Sequence, residues 1–131
     1  MGMTYIRGTV RGPLGERTLE FLVDSGTMYT LLPIDVWQAI GLEAKRTERF
    51  TLADGTHMTR AVSECHMTLE QGDAHTPVIL GEEGDEALLG VVMLEELGLV
   101  LDPFKRELRR MRLRWRGRLS GKGRSLGPAS R

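Results

Sequence analysis

The sequence contains a single cysteine, few aromatic residues and no long apolar run. One cysteine cannot form an intramolecular disulfide bond, and this is typical of proteins in a reducing compartment, so we expect a cytoplasmic location. No stretch of about 18 consecutive apolar residues occurs, and the sequence therefore predicts no membrane-spanning helix. The N-terminal residues also lack the apolar core of a signal peptide.

Metal and cysteine chemistry have little support in the residue pattern. The histidines, His57, His66 and His75, do not have the spacing of zinc ligands, and we expect neither a metal site nor a cofactor. A catalytic Cys–His pair would have to combine Cys65 with His66. Adjacent residues of a strand point to opposite faces, so this pair is poorly placed to cooperate.

The formal net charge of zero conceals an acidic body and a basic end. Residues 1–104 carry a net charge of −10, whereas residues 105–131 carry +10. In one interpretation the arginines of 109–124 contact nucleic-acid phosphates while Trp115 stacks on a base. We favour the simpler one, a solvated last strand followed by a Gly/Ser/Arg-rich tail with too little apolar surface to fold. Nucleic acid is therefore not an expected partner.

The most informative stretch is 21–32, in which an apolar strand leads into Asp24 and a second apolar run follows a short polar turn. A carboxylate in such surroundings needs hydrogen-bond partners, because burying it alone is costly. Ser25 and Thr27 offer hydroxyl donors, and Gly26 allows the backbone to approach closely. The alternative is an Asx-turn between two strands, for which Asp-Ser-Gly is common. Apolar runs on both sides argue against an ordinary surface turn.

Two motifs carry a resemblance to a known family. Residues 22–27, Leu-Val-Asp-Ser-Gly-Thr, resemble the catalytic motif of the aspartic proteases, and residues 87–90, Ala-Leu-Leu-Gly, resemble the second motif of the retropepsin-like branch. Residues 95–103 are similar to the closing segment of small prokaryotic retropepsin-like proteases. The resemblance covers roughly residues 4 to 113. It implies an all-β fold with one or two short helices, a closed β-barrel with one lobe per chain.

The resemblance also implies the site. Asp24 would be the catalytic residue, with its loop supported by Ser25, Gly26 and Thr27. Thr27 would donate to the outer oxygen of Asp24, and Ser25 would reach the backbone of a partner chain. The second motif would contribute Leu88, Leu89 and Gly90. The hairpin turn at 53–56 would be the flap over a bound peptide, formed by Ala53, Asp54, Gly55 and Thr56.

The function implied is an aspartic endopeptidase acting on peptide or protein substrates. Its chemistry needs two carboxylates, and neither Asp54 nor Asp35 has the sequence framing of Asp24, so we expect a symmetric homodimer. The alternative is a noncatalytic module of the same fold that binds peptides or dimerises. We assign residues 1–113 to the protease domain and 114–131 to a basic tail.

The residue pattern also predicts the order of elements. Strands are expected at 4–10 and 17–23, at 48–52 and 58–65 on the two sides of the flap turn, and at 66–70 and 74–80 in a further hairpin. Helices are expected at 33–40 and 91–97, and terminal strands from 99 and 108. The inward faces of the helices would be formed by Ile34, Trp37 and Ile40, and by Val91, Leu94 and Leu97. The acidic loop 81–86 is expected to be a solvated connection, and the terminal strand to present Met111, Leu113 and Trp115 on one face.

Overall fold

The computed structural model describes residues 2–111. The elements within them are β1 (Tyr5–Gly12), β2 (Gly15–Val23), β3 (Thr30–Leu32), α1 (Ile34–Ala39), β4 (Arg46–Thr51), β5 (His57–Leu69), β6 (Gly72–Leu80), β7 (Leu88–Leu89), α2 (Val91–Glu96), β8 (Leu99–Asp102) and β9 (Glu107–Arg110). The predicted mainly-β content with two short helices is confirmed. None of the helices in this part of the chain is long and apolar enough to cross a membrane.

Seven strands form one sheet that closes on itself. Their order is β1-β2-β7-β3-β6-β5-β4, and β1 pairs additionally with β5. That extra pairing, Thr9 with Thr68 through Arg11 with His66, joins the ends of a six-strand ring and leaves β4 on the outer side of β5. Ring closure removes the free edges from most strands, and it confirms the closed-barrel prediction.

The core lies inside this ring, and it follows from the alternation of apolar residues along the strands. Val10, Phe21, Met67 and Leu89 are fully buried and come from four different strands. Met93 of α2 is also fully buried and packs in the same cluster. The helix thereby packs against β3, β6 and β8.

One long strand replaces two shorter ones that the sequence suggested. The prediction ended a strand at Cys65 and began another at His66, but β5 runs without a break from His57 to Leu69. Its first half pairs with β4 and its second half with β6, and Val62 takes part in both ladders. Both predicted hairpins therefore exist, but they share one strand.

The prediction of which helix residues face inward was partly wrong. In α1 the buried residue is Val36, and the buried Ile40 caps the helix, whereas Ile34 and Trp37 are half-buried. Trp37 donates its indole N–H to the carbonyl oxygen of Gly81 over 2.9 Å. In α2 the buried residues are Met93 and Leu94, while Val91 and Leu97 are only half-buried. A helix of six residues completes fewer than two turns, so helical periodicity defines its buried face poorly.

The strands β8 and β9 form a separate antiparallel pair, with Leu101 opposite Leu108. Leu108 is buried, whereas Met111 is exposed. The predicted continuation through Leu113 and Trp115, and the basic tail 114–131, lie outside the described residues.

Candidate active site

Asp24 lies where strand β2 ends and the chain turns sharply. Its backbone N–H donates to the carbonyl oxygen of Leu89 over 3.1 Å, and its own carbonyl oxygen accepts from the N–H of Thr27, also over 3.1 Å. Val23, just before it, is buried in the core, whereas Asp24 itself is half-buried. The barrel therefore holds the backbone of Asp24 and leaves its side chain within reach of solvent.

Both oxygens of the Asp24 carboxylate have a hydrogen-bond donor in the same turn. Oδ1 accepts from the backbone N–H of Gly26 and Oδ2 from the hydroxyl of Thr27, each over 2.9 Å. A Cβ atom at position 26 would lie 3.3 Å from Oδ1, so glycine leaves the carboxylate uncrowded. Hydrogen bonds to both oxygens fix the plane of the carboxylate.

The other loop residues have different environments. Thr27 makes the side-chain contact that the resemblance implied. Ser25 is exposed, and its hydroxyl makes no hydrogen bond to another described residue, so its role towards a partner chain stays a prediction.

The second predicted motif packs directly against the Asp24 turn. Leu88 and Leu89 form β7, which lies parallel to the end of β2 and pairs with Leu31 on its other side. Gly90 donates its N–H to the hydroxyl of Thr30 over 3.0 Å. Leu88, Leu89 and Gly90 thus meet the residues on both sides of the turn.

Gly90 has no room for a side chain. A Cβ atom there would lie 2.4 Å from the carbonyl carbon of Tyr29, which is far inside van der Waals contact. Beyond it, the first N–H groups of α2, at Val91 and Val92, donate to the carbonyl oxygens of Thr27 and Met28 over 2.9 and 3.0 Å. These bonds use amides that a helix leaves unpaired, and they tie α2 to the turn.

A cleft of about 440 Å³ opens beside the turn. One wall is formed by residues 26–29, and the other by the strands of the β4–β5 hairpin. Its floor is apolar and consists of Leu31, Ile79 and Leu88. Such a cleft has the size and lining of a site for extended peptide or a small ligand.

The predicted flap residues form the tip of the β4–β5 hairpin. Ala53, Asp54, Gly55 and Thr56 are exposed, and Gly55 has a φ of 90°, a conformation that favours glycine. Asp54 Oδ1 accepts from the hydroxyl and the N–H of Thr56, and these bonds, the hydroxyl first, lower the pKa of Asp54. The cleft itself is lined by the hairpin strands and Leu52 rather than by these four residues.

Sequence reasoning missed a cluster along strand β4 of this hairpin. Tyr29 packs edge-to-face on Phe50, with ring centroids 5.9 Å apart, and its hydroxyl accepts from Nη2 of Arg46 over 3.3 Å. Arg46 also pairs with Glu48 over 2.8 Å. Hydrogen bonds to Glu48 and then to Tyr29 raise the pKa of Arg46. The spacing of residues 46, 48 and 50 along a strand was the signal that could have placed them on one face.

The acidic loop 81–86 is mostly exposed, as expected of a solvated connection, but one of its carboxylates is bound to the barrel. Asp85 pairs with Arg60 over 2.8 Å and accepts from the N–H of Glu82 over 2.7 Å. Burial acts to raise the pKa of Asp85, but the Glu82 N–H and the Arg60 guanidinium outweigh it and hold that pKa below its usual value. The loop is therefore fixed to β5, the outgoing strand of the hairpin.

Cys65 is buried, and burial raises the pKa of its thiol to about 12. A thiol in this state is protonated at neutral pH and is a poor nucleophile. His66 lies on the other side of the strand and bonds to Asp73 over 2.7 Å. Residues 2–111 contain no group of three or more potential ligands close enough to hold a metal ion.

Comparison with known families identifies a match over much of the chain. Residues 10–96 match the family model described as "gag-polyprotein putative aspartyl protease". The match covers well over half of the chain and includes the Asp24 turn, the β4–β5 hairpin and the second motif. No curated protein matches the chain.

Proposed function

The chain belongs to the retropepsin-like family of aspartyl proteases, and on this premise we propose that it is an aspartic endopeptidase in which Asp24 supplies the catalytic carboxylate. The observation that carries the proposal is the hydrogen bonding of Asp24, whose two oxygens are oriented by Gly26 and Thr27 beside an apolar cleft. A carboxylate held in this way can take up or release a proton without changing its position.

The chemistry requires a second carboxylate, which we propose comes from a second copy of the chain. Each chain contains one Asp-Ser-Gly sequence. A two-fold axis beside Ser25 would bring the Asp24 side chains of two chains together. Two carboxylates about 3 Å apart do not both ionise readily, so the pair shares one proton. In such a dimer the exposed hydroxyl of Ser25 would brace the partner's turn.

The reaction then proceeds by direct attack of water. The ionised Asp24 removes a proton from a bridging water, whose oxygen bonds to the carbonyl carbon of the peptide. The protonated Asp24 donates a hydrogen bond to the carbonyl oxygen and stabilises the tetrahedral intermediate. The C–N bond breaks as the leaving nitrogen receives a proton, and an acid and an amine are released.

The cleft suits an extended peptide with apolar side chains. Leu31, Ile79 and Leu88 form an apolar floor, residues 26–29 of the Asp24 turn form one wall, and the β4–β5 hairpin covers the other side. We propose that this hairpin is the flap, whose exposed tip at 53–56 closes over bound peptide.

The alternative is a noncatalytic module of the same fold that binds peptide in this cleft. The apolar floor favours it as much as it favours an enzyme, because binding needs the cleft and not the shared proton.

The test is cleavage of a diverse peptide library over a series of pH values, with the oligomeric state measured by sedimentation. Asp24→Asn keeps the shape of the side chain but cannot exchange protons, so cleavage should fall by at least about 10²-fold. Asp35→Asn, on the exposed first turn of α1, is the matched control. If Asp24→Asn cleaves as well as the wild type, the mechanism is wrong. A folded wild-type dimer that binds peptides without cleaving them would support the noncatalytic alternative.

A further inference from the structure

Strand β4 presents a row of charged and aromatic side chains to the loop that carries Asp24. Strand geometry places Arg46, Glu48 and Phe50 on one face, and Glu48 and Phe50 are the partly buried residues of the strand. Both line the cleft, together with Tyr29 at the end of the Asp24 loop. The hairpin and the loop therefore meet through these side chains.

Tyr29 contacts both ends of this row. Its ring packs edge-to-face on Phe50, and its hydroxyl accepts a hydrogen bond from Arg46. The guanidinium carbon of Arg46 also lies 5.9 Å from the ring centroid, at the outer limit of a cation–π contact. One side chain of the loop is thus in contact with two residues of the hairpin.

The position of Arg46 is itself fixed. Its Nε donates to Glu48 over 2.8 Å, and this bond leaves Nη2 for the Tyr29 hydroxyl. Aromatic pairs and hydrogen bonds to charged groups are directional, so they favour one position of the hairpin over others. Apart from this contact, the hairpin is joined to the barrel by the continuation of β5, which pairs with β6 from Val62 onward, and by the pair of Arg60 with Asp85, both of which lie on the β5 side.

We propose that Tyr29 is a positioning residue that clasps the β4–β5 hairpin to the Asp24 loop, through Arg46 and Phe50, and so sets how far the cleft opens. The clasp does not touch the reacting atoms. It acts on substrate entry and retention, because loosening it lets the hairpin spend more time away from the cleft. This inference rests on the proposed function only where it refers to substrate.

Hydrogen exchange measured by mass spectrometry on the chain without substrate tests the clasp directly. In Arg46→Gln we expect the amides of the hairpin tip to exchange about three- to tenfold faster than in the wild type. Tyr29→Phe removes only the hydroxyl and keeps the ring contact with Phe50, so its effect should be smaller and in the same direction. Arg11→Gln is the matched control, because it breaks an exposed pair with Glu16 on the β1–β2 hairpin with the same change of charge.

Two results would overturn the clasp. One is exchange in Arg46→Gln and Tyr29→Phe that equals the exchange in Arg11→Gln at the hairpin tip. The other is faster exchange throughout the barrel, including β1 and β2, which would show general destabilisation.

Peptide hydrolysis provides a second measurement. Arg46→Gln should raise KM about three- to tenfold and leave kcat within about twofold, because Asp24 keeps its hydrogen-bond partners. A wild type that cleaves no peptide would count against the proposed function, and the exchange comparison would still decide the clasp.

Discussion

The backbone N–H of Asp24 donates to the carbonyl oxygen of Leu89, so the first and second motifs are joined by a direct hydrogen bond. The next residue, Gly90, packs against the backbone of Tyr29 and bonds to Thr30. The loop that carries the carboxylate is therefore held on both sides by a segment far away in sequence. Rigidity at this point is what a carboxylate of fixed orientation requires.

Gly90→Ala should destabilise the fold. The new methyl group would lie 2.4 Å from the carbonyl carbon of Tyr29, and backbone atoms cannot yield as a flexible side chain can. We expect a loss of about 2–4 kcal/mol in the free energy of unfolding, measured by urea denaturation.

Gly26→Ala is the informative comparison. The new methyl group would meet only Asp24 Oδ1, at 3.3 Å, so the cost in stability should be about 1 kcal/mol or less. Its effect should fall on hydrolysis instead, because the carboxylate has to move. Equal losses of stability in the two variants would contradict the packing argument.

Thr27→Val should weaken catalysis more than stability. Valine keeps the branched shape but removes the hydroxyl that donates to Asp24 Oδ2 over 2.9 Å. We expect about 1 kcal/mol lower unfolding free energy and roughly a tenfold lower kcat/KM, since the carboxylate loses one of its two orienting bonds. Thr27→Ser keeps the donor and should retain most of the activity. If Thr27→Ser is impaired as much as Thr27→Val, the hydroxyl donor alone does not account for the role of Thr27, and the argument from its bond to Asp24 is wrong.

Much of the Asp24 site could be predicted because it is local. The turn, its glycine and the Thr27 donor lie within four consecutive residues, and the second motif has the small residue that close packing demands. The contact of Tyr29 with Arg46 and Phe50 could not be predicted in this way, because it depends on how a hairpin bends towards a loop. The shared strand β5 was missed for a similar reason. Val62 pairs with a residue of β4 and a residue of β6, whereas the residue pattern assigns only one neighbouring strand to each segment.

Acid should destabilise the protein partly through Asp85. The pKa of this carboxyl is lower in the folded protein than the ordinary 3.8, so its bonds to Arg60 and Glu82 stabilise the fold above that value. The contribution is lost as the pH falls from about 4 through the folded-state pKa. Asp85→Asn should therefore have a lower free energy of unfolding than the wild type at pH 6. The difference between the two proteins should become smaller as the pH falls. Chemical denaturation at several pH values measures this, and a gap that is independent of pH would contradict it.

The Cys65 thiol should resist alkylation in the folded protein. It is buried, and burial raises its pKa to about 12. At pH 8 the reagent therefore reaches the sulfur rarely, and very little of the thiol is ionised to the reactive thiolate. Iodoacetamide should label it at least about 100-fold more slowly in buffer than in a denaturing concentration of urea. Met67→Ala, which opens the neighbouring core, should speed labelling in buffer. Rapid labelling of the folded wild type would mean that Cys65 is not enclosed as described.

Mixing active and inactive chains separates a dimeric enzyme from a monomeric one. Suppose that each active site needs one Asp24 from each protomer. A mixed dimer of one wild-type and one Asp24→Asn protomer then cannot share a proton between two carboxylates, and it should be inactive. Equal amounts of wild type and Asp24→Asn, allowed to exchange subunits at a constant total concentration, should then retain about a quarter of the activity of wild type alone, because only one pairing in four has both aspartates. A monomeric enzyme would retain about half. Asp35→Asn mixed in the same way should leave the rate unchanged, which excludes an effect of mixing itself. A linear fall in activity with the fraction of Asp24→Asn, in a sample shown by sedimentation to be dimeric and exchanging, would contradict a site shared between protomers.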